Sequence, residues 1–231
     1  MQKIGIIGAM QEEITPLLAL FGEHEAIKLG GNTFYRLTYK GAQIYIAYSK
    51  IGKVHAAITA TTMIAHFGCE KIIFGGVAGG LRSDLKVGDI MIATSLCQHD
   101  VDISAFGHPL GFIPESRVFI DTDSALNAIA RQVAAESSID LKEGIIASGD
   151  EFIHDAKKKA WLIEQFGAAA VEMEGAAVAV ASESFGVPFC VFRSISDSAD
   201  GSADVSFDEF LDSSAKICAE FVKKMLDRIL S

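Results

Sequence analysis

Two hydrophobic rhythms alternate along the chain. Short, continuous apolar runs rich in Ile, Val and Phe predict strands covered on both faces at residues 3–8, 33–39, 43–48, 71–76, 89–99, 143–147, 169–172 and 188–195. Longer stretches with apolar residues three and four apart predict helices over 53–67, 124–137, 156–166, 173–185 and 206–230. In the last of these Phe207, Phe210, Leu211, Ala215, Cys218, Phe221, Val222 and Met225 share one face, and Ser206 with Glu209 has the spacing of a capping box. Gly30-Gly31-Asn32 signals a turn. Strands alternating with helices predict a largely parallel, covered sheet, and the closely spaced early strands add an antiparallel or mixed portion. Residues 100–118, with Gly107, Pro109, Gly111 and Pro114, read as an irregular loop. A loop of that length in a compact domain is usually functional or at an interface.

Composition narrows this picture. Half of the 231 residues are hydrophobic, enough for one sizeable α/β domain over residues 1–231. A net charge of −10 argues against a general nucleic-acid or anionic-membrane surface. Met1-Gln2-Lys3 leads straight into an apolar strand, which predicts no secretory leader, and no apolar run approaches the roughly 20 residues that span a bilayer. Cys69, Cys97, Cys190 and Cys218 are widely spaced in apolar surroundings and make no zinc pattern, so buried, reduced thiols in a cytoplasmic protein are expected.

Charged groups at the ends of apolar runs carry the candidate chemistry. Glu172 and Glu174 follow Ala168-Ala169-Ala170-Val171, and Arg193 and Asp197 end the run that starts at Val187. Open α/β sheets bind ligands just past their strand ends, where such groups are costly to bury without a purpose. Gly5-Ile6-Ile7-Gly8-Ala9-Met10 lacks the third glycine of a dinucleotide fingerprint, so a glycine there is expected to let the backbone approach a ligand. Glu12 and Glu13 follow at a strand-to-helix junction; about 100° apart on a helix, only one can face a crevice, and spacing does not decide which. Gly75-Gly76-Val77-Ala78-Gly79-Gly80 predicts a tight turn exposing backbone N–H groups, without the Lys-Ser/Thr of a P-loop. Phe152, in Ser148-Gly149-Asp150-Glu151-Phe152-Ile153, offers a stacking face for a heterocyclic base. His99, Asp100, Asp102 and His108 do not have the spacing of a closed metal site, and no Gly-x-Ser-x-Gly elbow occurs.

Taken in order, these stretches resemble the 5′-methylthioadenosine/S-adenosylhomocysteine nucleosidases of the nucleoside phosphorylase superfamily. The matching segments also include Ile51-Gly52-Lys53-Val54, Gly88-Asp89-Ile90, His99-Asp100-Val101-Asp102 with Ala105-Phe106-Gly107, and Ser206-Phe207-Asp208-Glu209-Phe210. The likeness is to the ε-proteobacterial type, which also cleaves aminodeoxyfutalosine for menaquinone synthesis. It implies a three-layer α/β/α domain with a central mixed, twisted, partly barrel-like sheet. It implies no cofactor, no metal, and hydrolysis of an N-glycosidic bond with release of adenine. Asp197 would be the general acid at purine N7, and Glu13 the base that activates water. Glu174 would accept the ribose hydroxyls, Met173 would pack under the sugar, Phe152 would stack on adenine, and the Ile153 backbone would read its edge. Arg193 would hold the water and orient Glu13. Met10, Ile51 and Phe207 match positions around the 5′ group. Val77, Ala78, Gly79, Glu172 and Ser196 complete the substrate-binding set. Ile103, Phe106 and Pro114 match residues supplied by the second subunit of a homodimer. Val77 departs from the family, where many relatives carry a water-holding Ser. The competing readings are a phosphate-dependent nucleoside phosphorylase, for which Arg82 is the supporting residue, and a non-catalytic purine-nucleoside sensor.

Overall fold

The computed structural model describes residues 1–200 and 203–231, and within them strands and helices alternate as the two rhythms require. The strands are β1 (Lys3–Gly8), β2 (Glu25–Leu29), β3 (Asn32–Tyr39), β4 (Ala42–Tyr48), β5 (Lys71–Gly80), β6 (Ile90–Gln98), β7 (Ile120–Asp121), β8 (Lys142–Ser148), β9 (Ala168–Glu172) and β10 (Phe189–Asp197). The helices are α1 (Gln11–Phe21), α2 (Lys53–Thr61), α3 (Ser124–Glu136), α4 (Ala156–Phe166), α5 (Gly175–Ser184) and α6 (Ala203–Ile229).

One mixed sheet organises them. β2, β3 and β4 form an antiparallel meander, and β4 continues in parallel into β1 and then β5. Beyond β5 the sheet closes on itself. β5 pairs in parallel with β10, β10 antiparallel with β6, β6 and β8 in parallel, β8 and β9 in parallel, and β9 antiparallel with β5. The result is an open wing joined to a five-stranded, barrel-like ring.

Continuous apolar runs are explained by cover on both faces. Ile6 belongs to one buried cluster with Ile14 and Leu17 of α1 and Phe221 and Val222 of α6, whereas its neighbour Ile7 belongs to another with Ala56 and Ala60 of α2 and Val178 of α5. Helices α1, α3 and α6 cover one face and α2 and α5 the other, which gives three layers. Leu162 and Phe166 of α4 close a smaller cluster around the ring. All four cysteines are buried and unbridged.

Several expectations need correction. Residues 75–80 are not a turn: β5 runs through them to Gly80, and none of their glycines has positive φ. The β9 and β10 ladders take up this stretch. Gly5 does not admit a ligand, since a Cβ there would meet Ile72 and Met63, each at 2.7 Å. The helix expected over 53–67 divides into α2 and a π-helical turn at Thr62–His66, closed by the Phe67 N–H on the Thr62 carbonyl. The last helix starts at Ala203, whose N–H donates to the Asp200 carbonyl, so Ser206 lies inside the helix and is not its cap. Residues 100–118 are irregular, apart from a 3-10 turn at Ser104–Phe106.

Candidate active site

The C-terminal ends of β1, β5, β9 and β10 converge, and each contributes one part of a cavity of about 350 Å³.

The first part comes from the β1–α1 junction. Glu12 is exposed and Glu13 is 5% exposed, so the helix rotation left open by the sequence is settled for Glu13. Its Oε2 accepts the N–H groups of Ala9 and Met10, and its Oε1 accepts that of Val77 at 2.9 Å. Burial pushes the Glu13 carboxyl above the ordinary carboxylate range, opposed by the Arg193 charge and by these three N–H donors. β5 makes room for the group: a Cβ on Gly76 would lie 2.4 Å from Glu13 Oε1.

The second part stands at the end of β10. Asp197 Oδ1 accepts the Ala199 N–H at 2.7 Å and Oδ2 the Ser196 hydroxyl at 2.9 Å. Burial raises this carboxyl too, against both donors. A Cβ on Gly79 would lie 2.8 Å from Asp197 Oδ1, so β5 has a second notch for the second acid.

The third part is the β9–α5 junction. The N-cap of α5 is Glu174, which makes no side-chain cap. Glu172 supplies the missing acceptors, taking the N–H groups of Glu174 and Gly175, while the Ser148 hydroxyl accepts from Ala176 at 2.8 Å. This is why the helix begins at Gly175 and not at Met173. Glu172 also accepts from Ser148 and from Arg193, so its oxygens are committed to protein donors. Glu172 lines the cavity and also holds Arg193 and the start of α5. Glu174 is left free on one side: its Oε1 accepts the Gly52 N–H at 2.8 Å. Burial and the Glu172 charge push its carboxyl up to about 8.

Arg193 is fully buried behind the cavity wall. It donates to Glu172 and to the Phe192 carbonyl, and its guanidinium carbon lies 4.0 Å from the Phe74 ring centroid. It does not line the cavity. Its charge lowers the Glu13 carboxyl against the effect of burial.

The purine-stacking candidate Phe152 is partly exposed and meets Phe207 edge-on, with centroids 5.6 Å apart. Ile153 is buried. Met10, Ile51, Val77, Ala78, Gly79, Met173 and Ser196 complete the predicted set around the same cavity. Ala9, Glu151 and Val171 line it as well; none of the three is a predicted site residue, although each adjoins one. Ile103, Phe106 and Pro114 do not line it, and Phe106 is 81% exposed. Arg82 is tied to Asp84 and to the Glu143 carbonyl and does not line the cavity either.

A mixed sheet closed into a ring, with two buried acids sharing one hollow at its strand ends, defines a nucleoside-processing fold. The chain belongs to the phosphorylase superfamily, which residues 3–231 match. Within it, its similarity is to nucleosidases. It is 58% identical to an aminodeoxyfutalosine nucleosidase of Helicobacter pylori, over 99% of this chain and 100% of that protein. It is 40% identical to a 5′-methylthioadenosine/S-adenosylhomocysteine nucleosidase of Exiguobacterium, over 98% of each. A crystal structure of the Helicobacter pylori 5′-methylthioadenosine/S-adenosylhomocysteine nucleosidase superposes with a TM-score of 0.97 at 58% identity, covering 98% of both chains. Its ligand joins an amino-pyrrolopyrimidine to a pyrrolidinol with a propynylthio-methyl arm.

Proposed function

We propose that residues 1–231 form one nucleosidase domain that hydrolyses the N-glycosidic bond of 5′-methylthioadenosine and S-adenosylhomocysteine, and also of 5′-deoxyadenosine and 6-amino-6-deoxyfutalosine, releasing adenine. The observation that carries this reading is the pairing of Glu13 and Asp197 in one cavity that, among the described residues, no lysine or arginine lines. Water is the nucleophile such a cavity favours. A phosphate dianion would face Glu13, Glu151, Glu172, Glu174 and Asp197 without a cation to hold it. Phosphorolysis is disfavoured for that reason.

The chemistry follows from the two acids. Asp197, whose protonated form burial favours, gives its proton to purine N7 as the C1′–N9 bond breaks and its electron pair enters the ring. Glu13 takes a proton from water as the water oxygen bonds to C1′. Glu174, oriented by Gly52, accepts the ribose hydroxyls. Phe152 stacks on adenine, the Ile153 backbone reads its edge, and Met173 lies under the ribose. Val77 offers no hydroxyl to the water, but its N–H fixes the carboxylate that activates it.

The reading extends to a cytoplasmic homodimer that binds no nucleic acid. Ile51, Val54, Ile58 and Phe106 are all more than half exposed and apolar, which supports a protein-covered face. In such a dimer Ile103, Phe106 and Pro114 would close the partner's 5′ pocket. Among the described residues no helix is long and apolar enough to cross a membrane.

The test is adenine release from 5′-methylthioadenosine with and without phosphate, repeated for Glu13→Gln and Asp197→Asn. Turnover is expected without phosphate in the wild type. Each variant should lose at least about 100-fold in kcat while still binding the nucleoside. Strict phosphate dependence would establish the phosphorylase. Unchanged turnover in either variant would remove the assigned roles, and binding without any turnover in the wild type would establish a sensor.

A further inference from the structure

We propose that Lys53, Asp100 and Asp150 form a clasp that positions the purine-binding loop against the ribose-binding carboxylate. The proposal rests on the nucleosidase reading above, and all three are positioning residues, because none of them lines the cavity.

The starting point is a lysine in the wrong place. Lys53 opens α2, where the positive end of a helix disfavours a cation, and the N-cap Gly52 has no side chain to satisfy the first N–H groups. Two carboxylates from distant segments remedy both faults. Asp150 Oδ1 accepts the Lys53 N–H at 2.8 Å. Asp100 Oδ1 accepts the Lys53 ammonium at 2.6 Å, and Asp100 Oδ2 accepts the Asp150 N–H at 2.9 Å. The three residues thus close a ring of hydrogen bonds, and Gln98 Oε1 takes a further ammonium proton at 2.9 Å. The Lys53 side chain is only 15% exposed, so this is not a loose surface pair.

Each member leads into a working part of the site. Gly52 donates to Glu174, and its φ of 100° is one that glycine tolerates best; a Cβ there would also come within 3.1 Å of Asp150 Oδ1. Asp150 runs directly into Glu151, Phe152 and Ile153. Asp100 begins the irregular loop that ends at residue 118. Loosening the ring therefore frees the stacking ring and the ribose carboxylate together, while Glu13 and Asp197 keep their own hydrogen bonds.

The test uses the full chain as Lys53→Met, Asp100→Asn, their double variant and Lys53→Arg. KM for 5′-methylthioadenosine should rise about tenfold in each single variant, with kcat within about threefold. The double variant should be no worse than either single one, and Lys53→Arg should restore KM to within about threefold of the wild type. Hydrogen exchange should accelerate at the amides of residues 149–153 and not across β1 and β5. An unchanged KM with unchanged exchange at 149–153, additive losses, or faster exchange throughout the sheet would each overturn the clasp. Failure of the wild type to release adenine would instead refute the nucleosidase reading, and the exchange measurement would still judge the clasp.

Discussion

Adding one methyl group at Gly76 tests the catalytic geometry without touching a charged residue. A Cβ there falls 2.4 Å from Glu13 Oε1 and 2.9 Å from its Cδ, whereas ordinary contact begins at 3.4 Å. The carboxylate must retreat by about 1 Å, and it loses the Val77 N–H that it now accepts at 2.9 Å. Misplacement of a catalytic group on that scale costs about 100-fold in rate, or ~2.7 kcal/mol of barrier. Gly76 has no positive φ, so alanine suits the strand, and Gly76→Ala should fold. Its kcat for adenine release should fall about 100-fold while KM stays within about threefold, since the role proposed for Glu13 is toward water and not the nucleoside. Gly75→Ala is the control. Its Cβ points to the other face of β5, 3.0 Å from Val222 Cγ2 and 3.3 Å from Cys218 Sγ. It should cost about 1–3 kcal/mol of stability, read as a lower Tm, and leave kcat alone. A Gly76→Ala enzyme with kcat within threefold of the wild type would refute the placement of the base.

Further outcomes follow from the electrostatics. The kcat/KM profile should rise as Glu13 loses its proton and fall as Asp197 loses its own, both limbs above the ordinary carboxylate range. Because the Ser196 hydroxyl favours the ionised form of Asp197, Ser196→Ala should move the falling limb to higher pH; a move to lower pH would contradict this. Glu174 has a folded-state value of about 8 against an ordinary 4.5, so it binds more protons folded than unfolded between the two. Its stabilising contribution is complete below about 4.5 and is lost as pH rises through about 8. Glu174→Gln should therefore melt above the wild type at pH 9, with the advantage shrinking toward pH 5. Glu172→Gln strands Arg193 without its carboxylate and should lower unfolding stability by about 3–5 kcal/mol in urea titration.

Much of this architecture was legible because hydrophobic rhythm and burial agree. Residues 3–8 and 156–166 have the bounds of β1 and α4. β2 was missed since it is a largely exposed edge strand with no apolar alternation to read. The end of β5 looks like a turn because four glycines fall within six residues, whereas Gly76 and Gly79 are there to admit Glu13 and Asp197. Both acids stood out as charges next to apolar runs. Choosing Glu13 over Glu12 needed either the family resemblance or the helix orientation. The place of Arg193 is not legible, because its partner Glu172 comes from a different strand, β9. The Lys53 ring lay beyond sequence reasoning, since its members come from three segments that only the closed sheet brings together.

The ring of strands also dictates when activity can first appear during synthesis. A ribosome delivers α1 with Glu13 early, but β10, which carries Asp197 and joins β5 to β6, emerges almost last. Until then β5 offers an unpaired edge along residues 72–79, open to pairing with another chain. A nascent polypeptide stopped short of β10 would thus be both inert and adhesive, and one late strand insertion cures both conditions at once.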